Sequence, residues 1–129
     1  MTIAAVRGHC PAGGCVLATC CDVRVMTEDG RIGLNEVELG IPVPLYWGRL
    51  MASLVGAGRA DVLLQTAALV PAQEALRLGL VDAVVPKAEL MAAAHAVRMN
   101  CFAHLLRAHT LTPAVRALLS GGDASPGIP

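Results

Sequence analysis

The sequence predicts an α/β fold, because a strand signal, a glycine turn and a helix signal follow one another within its first twenty residues. Ile3–Val6 is a short apolar run that stops at a charged residue, which is typical of a strand buried on both faces. A glycine turn comes next, and residues 16–19 then continue at helix-compatible spacing. The chain is therefore expected to run from a strand through a tight turn into a helix.

The glycine turn could bind a ligand through its backbone amides. The first N–H groups of a helix have no partner inside it, and Gly13 and Gly14 lack a Cβ, so a ligand oxygen could approach their amides closely. Pro11 suits the first helical position, where a missing N–H has no cost. We expect a helix over residues 11–20, with the Gly13 amide facing an open pocket. The simpler alternative is that the glycines only let the helix pack tightly against a strand.

Two carboxylates follow the next pair of predicted strands, residues 22–25 and 31–34, which flank a turn at residues 28–30. Glu36 and Glu38 are two positions apart, so they share one side of an extended segment but diverge by about 200° in a helical turn. With apolar neighbours around them, at least one needs a partner, an opening to solvent or a chemical role. Surface exposure is the simpler alternative for either residue.

The rest of the chain predicts mainly helices. The expected elements are a proline-rich loop at 41–44, helices at 45–54, 59–69 and 71–79, an extended segment at 80–85, and a helix at 87–106 that could break near Asn100. We expect residues 1–106 to form one domain and 107–129 a C-terminal tail. The end of that tail, residues 120–129, has too little apolar surface to become ordered.

Composition argues against several classes of function. The 10 basic and 10 acidic residues cancel and only 2% of residues are aromatic, so nucleic-acid binding is not expected. No apolar run reaches the ~18 residues that would predict a membrane span. Cys101, His104 and His109 could be drawn as metal ligands, but no fourth ligand has credible spacing, so no metal is expected. An odd number of cysteines without CxxC spacing favours reduced, buried thiols over a disulfide framework: Cys10, Cys15, Cys20, Cys21 and Cys101.

The motif GHCPAGGCVLATCCDVRV, followed by IGLNEVELGIPVP, resembles the crotonase superfamily of acyl-CoA enzymes. Within that superfamily it is most similar to the mitochondrial-type Δ3,Δ2-enoyl-CoA isomerases. The match is specific over residues 3–44 and weaker, but continuous, to about Leu90. The resemblance implies a partial crotonase-like (ClpP/crotonase) ββα spiral fold with C-terminal helices.

The resemblance also implies roles for individual residues. Gly13 would donate one of two backbone N–H groups that form an oxyanion hole, and Pro11 and Gly14 would line the substrate site beside it. Glu36 would be the catalytic base, whereas Glu38 does not match a catalytic position. Related hydratases carry a second catalytic glutamate at the position of Val16, so the valine argues against the hydratase mechanism.

The expected reaction is conversion of a 3-enoyl-CoA to a 2-trans-enoyl-CoA in fatty acid β-oxidation, with acyl-CoA as the substrate and no cofactor. Full-length family members would form homo-oligomers, trimers in the family, in the mitochondrial matrix of a eukaryote or the cytoplasm of a bacterium. The family's upstream region, with the second oxyanion donor, and its last helices are expected to be missing, which leaves open whether this chain is active alone. Two alternatives remain: a hydratase-like enzyme, and a non-catalytic product that acts by association with full-length subunits.

Overall fold

The computed structural model describes the backbone of residues 1–106 and the side chains of residues 1–100. The predicted tail at 107–129 lies outside the described residues, as do the side chains of Cys101, His104 and His109.

Two small sheets organise the chain. Strands β1 (Ile3–Val6), β3 (Val23–Thr27) and β6 (Ala83–Val85) form a parallel sheet in the order β1-β3-β6. The second sheet has the order β2-β4-β5. Its strands are β2 (Cys10–Pro11), β4 (Arg31–Gly33) and β5 (Val70–Pro71); β2 pairs parallel with β4, and β5 pairs antiparallel with β4. The predicted mixture of strands and helices is therefore confirmed.

The helices mostly begin and end near the predicted residues. They are α1 (Ala12–Thr19), α2 (Leu45–Val55), α3 (Ala57–Gln65), α4 (Ala72–Leu78) and α5 (Leu90–Leu106), and a short 3₁₀ helix covers Glu36–Leu39. Several details of the prediction are wrong. Helix α3 ends at Gln65 and not at residue 69, and Pro71 lies in β5 and not in α4. Pro11 precedes α1 instead of opening it, because its extended backbone pairs with Gly33 in β2. Helix α5 continues through Asn100 without a break.

Strand β3 lies at the centre of the larger sheet and serves two hydrophobic clusters. Met26 packs into a cluster that includes residues of α1, α2 and α4, whereas Val25 packs with Leu90 of α5. The side chains of Met26 and Val25 are both completely buried. Successive side chains of a strand point to opposite faces, so one strand joins the two clusters.

A partly buried ion pair joins β3 to the start of β6. Arg24 is 5% exposed, and its Nη2 atom lies 2.7 Å from Oδ2 of Asp82. The same carboxylate oxygen accepts the backbone N–H of Arg24 at 2.8 Å, and Arg24 Nη1 donates to the Cys21 carbonyl. Further hydrogen bonds of this kind are what make a buried ion pair tolerable.

Membrane-spanning helices and metal-binding groups were both considered in the sequence. In the part of the chain that the structure describes, no helix has the length and hydropathy to cross a bilayer. Nor do three or more histidine, cysteine, aspartate or glutamate side chains gather into a metal-binding group among those same residues.

Gly33 allows a close approach between β4 and the segment before β5. A Cβ at this position would overlap the carbonyl oxygen of Ala68 and lie 3.3 Å from Cα of Leu69. Backbone atoms cannot move aside as the end of a flexible side chain can. The absence of a side chain at Gly33 is therefore a packing requirement.

We expect Gly33→Ala to lower the free energy of unfolding by roughly 1–3 kcal/mol, because the added methyl group overpacks this contact. Urea denaturation of the purified chain measures the change. Gly58→Ala is the matched control: it lies in α3 with open space around a Cβ, and it should raise stability by up to about 1 kcal/mol. Equal stability of Gly33→Ala and the parent chain would contradict the packing argument.

Cys15 is a fully buried thiol at the contact between α1 and β4. Its pKa is raised from 9.0 to about 12, chiefly by burial and also by the neighbouring Cys10 and Glu36. A hydrogen bond from the Gly33 backbone to the sulfur acts in the opposite direction. This thiol is therefore neutral in the folded chain over the whole physiological range.

The raised pKa of Cys15 makes stability depend on alkaline pH. The unfolded thiol ionises near 9.0 and the folded thiol near about 12, so the stabilisation is complete below pH 9 and is lost as pH rises towards 12. We expect the free energy of unfolding to fall over that interval, and to fall less steeply in Cys15→Ala. Cys20→Ala, which removes an exposed thiol, is the control and should keep the parent slope. Identical slopes in all three proteins would contradict this assignment.

Candidate active site

The pairing of β2 with β4 brings the two predicted site segments together. Cys10 is opposite Ile32 and Pro11 is opposite Gly33, in parallel register. Because the two strands are parallel, the segments that follow β2 and β4 begin at the same end of the strand pair. Helix α1 begins directly after Pro11, and the 3₁₀ helix begins at Glu36, three residues after Gly33.

The N-terminus of α1 is open on the side of Gly13. Gly13 is the second residue of the helix, so its amide precedes the first one that can bond inside it. It is exposed, and a Cβ placed on it would meet no atom within 4 Å. No side chain caps this end of the helix, and its first turn has no acidic residue. The amide is therefore free to meet an anionic oxygen.

The turn that precedes Gly13 is conformationally strained. Ala12 has a φ of 49°, in the left-handed region that residues other than glycine, asparagine and aspartate seldom adopt. Such a conformation costs an alanine about 1–2 kcal/mol. Strain of this kind is frequent where a chain aims backbone groups at a ligand.

Glu36 and Glu38 have different environments. Glu36 is 5% exposed, whereas Glu38 is exposed to solvent. The 3₁₀ turn separates the two side chains, as expected for a helical segment. Neither carboxylate oxygen of Glu36 has a hydrogen-bond partner among the described residues. A buried carboxylate without a partner is costly, so such a group points to a ligand or a chemical role.

Cys15 connects Glu36 with the helix that carries Gly13. It lies two residues after Gly13 on α1, and it is close enough for the charge of Glu36 to affect its pKa. The charge of Glu36 therefore acts on α1 at a residue two positions after Gly13. An open backbone donor and a buried carboxylate are the two groups needed to remove a proton and stabilise the resulting negative charge.

Val16 presents no polar atom to this arrangement. It is half-buried and packs against the cluster that contains Cys15 and Met26. A carboxylate is therefore missing from the next turn of the helix after Gly13.

A cavity lies beside α1 and includes Gly14 in its lining. It has a volume of about 290 Å³ and is lined by β1 and α1, including Gly14 but neither Gly13 nor Glu36. Pro11 is exposed at the end of β2.

One polar group was missed by sequence reasoning: the buried Oδ1 atom of Asn35, next to Glu36, has no partner among the described residues. Its only signal in the sequence was its position before the glutamate.

Comparison with known proteins gives a consistent result. A family model described as enoyl-CoA hydratase/isomerase matches residues 1–120, beyond the Leu90 where the motif resemblance ends. Human enoyl-CoA delta isomerase 1, mitochondrial, is 40% identical over 94 residues, which cover 71% of this chain and 31% of the human protein. A short-chain-enoyl-CoA hydratase of Clostridium acetobutylicum is 45% identical over 89 residues, which cover 69% of this chain and 34% of the relative. The chain thus spans about a third of the length of these relatives.

Solved structures agree with the sequence comparison. The crystal structure of human mitochondrial delta3-delta2-enoyl-CoA isomerase matches with a TM-score of 0.75 and 33% identity, covering 92% of this chain and 43% of that one. An enoyl-CoA hydratase from Bacillus anthracis matches with a TM-score of 0.72 and 36% identity, covering 75% and 38% of the two chains. The expected crotonase-like α/β fold is confirmed, and the chain belongs to the enoyl-CoA hydratase/isomerase family.

Proposed function

We propose that this chain carries the general base and one oxyanion donor of an enoyl-CoA isomerase that converts a 3-enoyl-CoA to a 2-trans-enoyl-CoA. The observation that carries the proposal is the buried carboxylate of Glu36, which has no hydrogen-bond partner among the described residues and whose charge acts on Cys15 of the helix that carries Gly13. The chain spans about a third of the length of its relatives, so only these two groups of the active site are assigned to it. The second oxyanion donor belongs to the rest of the full-length enzyme.

The proposed chemistry moves one proton between two carbons. The carboxylate of Glu36 takes a proton from C2, and the electron pair of that C–H bond passes into the thioester, which becomes an enolate. The protonated Glu36 then returns the proton to C4 as the double bond forms between C2 and C3. Proton and charge balance, and no cofactor is required. One carboxylate within reach of both carbons is sufficient.

The Gly13 amide would stabilise the enolate oxygen. A thioester α-proton is too weakly acidic for a carboxylate to remove unless the developing negative charge is stabilised. A backbone donor at a helix N-terminus supplies such stabilisation, and the helix dipole adds to it. Loss of one oxyanion donor typically lowers the rate by ~10²–10³. Pro11 and Gly14 would form the wall of the substrate site next to this donor.

Isomerisation is favoured over hydration by the side chain of Val16. Hydration needs two carboxylates to handle an attacking water molecule, and the described helix offers an apolar, half-buried side chain at the second position. Relatives of both kinds are similar to the chain, so sequence similarity alone does not separate the two reactions.

Cell location and assembly belong to the same proposal. The human and mouse relatives are named as mitochondrial proteins, which supports a mitochondrial enzyme if the chain comes from a eukaryote. Homo-oligomer formation is proposed for the full-length form of the enzyme.

We expect Glu36→Gln to abolish isomerisation while acyl-CoA binding remains largely intact, because the amide has nearly the same shape but cannot accept the proton. Glu38→Gln is the matched control and should retain activity, since that side chain is solvent-exposed. Turnover of a 3-enoyl-CoA measures the effect, in the 129-residue chain and in a chimera where it replaces the matching segment of human enoyl-CoA delta isomerase 1.

The chimera separates two kinds of failure. If the 129-residue chain is inactive and the chimera is active, the catalytic groups that the short chain lacks belong to the rest of the enzyme. Full activity of Glu36→Gln, or loss only in Glu38→Gln, would refute the assigned base. A chimera that folds and binds acyl-CoA but never isomerises would favour the non-catalytic alternative.

Val16→Glu should introduce measurable hydration of a 2-enoyl-CoA into the active chimera, because it adds the carboxylate that can activate water. Some loss of stability should accompany the change, since the new charge is partly buried. Val16→Gln is the control for size and polarity and should not hydrate. Efficient hydration by the unmodified chimera would show that the valine does not exclude this reaction.

A further inference from the structure

Two segments of the chain carry the groups of the proposed function, and they are joined before either reaches the site. One segment runs from β1 through β2 to Gly13, and the other runs from β3 through β4 to Glu36. Thr27 is the last residue of β3, and its hydroxyl oxygen accepts the backbone N–H of Gly8 at 2.8 Å. Gly8 lies two positions before β2, so this hydrogen bond links the two segments ahead of the contact between β2 and β4.

The Thr27 hydroxyl donates to Asp29. Its oxygen lies 2.6 Å from Oδ1 of that carboxylate, and the ammonium group of Lys87 donates to Oδ2 at 3.3 Å. Both hydrogen bonds lower the pKa of Asp29, so its carboxylate is ionised at neutral pH. An ionised carboxylate can only accept, so the hydroxyl proton points to Asp29 and the hydroxyl oxygen is left to accept the Gly8 amide. In such a chain of hydrogen bonds each one polarises the next.

Thr27 is completely buried, which makes its hydroxyl informative. Valine has nearly the same shape and would fill this position of β3 without any need for a hydrogen-bond partner. A hydroxyl in the same place is costly unless it is hydrogen-bonded. Here it is satisfied on both sides, by Gly8 and by Asp29. The polar atom therefore serves the Gly8 turn and not the filling of the core.

The Gly8 turn fits closely against the loop that leads into β4. Gly8 has a φ of 74°, which suits a residue without a Cβ. Its carbonyl oxygen lies where a Cβ on Gly30 would overlap it. Gly30 closes the same loop, because its N–H donates to the Thr27 carbonyl at 3.3 Å. The amide and the carbonyl of Gly8 are therefore both in contact with this loop.

We propose that Thr27, oriented by Asp29, is a positioning residue for the isomerase reaction. It holds the Gly8 turn against the loop before β4 and so keeps the Gly13 amide aligned with the Glu36 carboxylate. This inference rests on the proposed function, because the two groups that Thr27 aligns are those assigned there. Thr27 acts through the backbone and takes no part in the proton transfer.

The alignment needs more than the contact between β2 and β4. That contact has two residue pairs, and Gly13 and Glu36 each lie beyond its end. The amide and the carboxylate must meet the thioester oxygen and the C2 proton of one substrate, and a misplacement of ~1 Å can lower the rate ~10²-fold. A link at Gly8 limits the movement of the segment between Gly8 and Gly13.

Removal of the Thr27 hydroxyl tests this role in the chimera with human enoyl-CoA delta isomerase 1. Thr27→Val should lower kcat about tenfold or more, and leave KM and the affinity for a saturated acyl-CoA within about twofold, because the aligned groups act in the transition state. Thr27→Ser keeps the hydroxyl and should return kcat to near the parent value. Rates are measured well below the melting temperature and per folded molecule, so a loss of stability alone does not change them.

Thr19→Val is the matched control. Thr19 is also buried, but its hydroxyl donates within α1, to the Val16 carbonyl at 2.9 Å. Loss of that hydroxyl should change stability without changing kcat.

Asp29 provides a second test that leaves the core intact. It is exposed, so its variants should fold even if Thr27→Val does not. Asp29→Ala removes the acceptor and should lower kcat, whereas Asp29→Asn keeps an oxygen that can accept the hydroxyl proton and should stay near the parent value. Thr27→Val combined with Asp29→Ala should be no slower than Thr27→Val alone, because both changes interrupt one chain of hydrogen bonds.

The outcomes separate this role from the proposed function. An active parent chimera in which Thr27→Val or Asp29→Ala keeps the parent kcat would overturn the positioning role and leave the proposed function intact. A loss of kcat that Thr27→Ser does not restore, or an equal loss in Thr19→Val, would also overturn it, since either result assigns the effect to packing. A parent chimera that folds and binds acyl-CoA but does not isomerise a 3-enoyl-CoA would refute the proposed function itself, and the positioning role with it.

Discussion

The candidate site depends on the short parallel contact between β2 and β4. This contact contains two residue pairs, yet it sets where α1 begins and where the chain turns towards Glu36. Gly33 is part of it, and its missing side chain lets the segment at Ala68 approach from the other side. Two strands of two or three residues are weak by themselves. They hold because α1, through the buried Cys15, packs against the same place.

The strain at Ala12 is related to the contact between β2 and β4. The residue before it belongs to β2 and the residues after it belong to α1, so the chain changes from strand to helix at this one position. A left-handed alanine is the result. The unfavourable backbone conformation is held in place by order on both sides, and the same geometry leaves the Gly13 amide without an internal partner.

Local patterns predicted most of the fold. The strand at Ile3–Val6 and helix α1 were recognisable because apolar spacing and glycine placement are properties of neighbouring residues. Pro11 was placed in the wrong element because its partner, Gly33, is far along the chain. The residues at the site were found by resemblance, since spacing alone left Glu36 and Glu38 equivalent. Their burial, which differs strongly, depends on contacts that no local pattern contains. The catalytic roles themselves stay predictions.

The position of β3 between two hydrophobic clusters has a consequence for how the chain loses its structure. Met26 and Val25 are neighbours on one strand but belong to different clusters, and Arg24 on the same strand holds the start of β6. Neither cluster can open fully while the other remains intact, because opening either one requires β3 to leave its place in the sheet. Unfolding of this part of the chain is therefore cooperative. The amide protons of β3 should be among the last to exchange with solvent, and local opening should be confined to elements further from this strand.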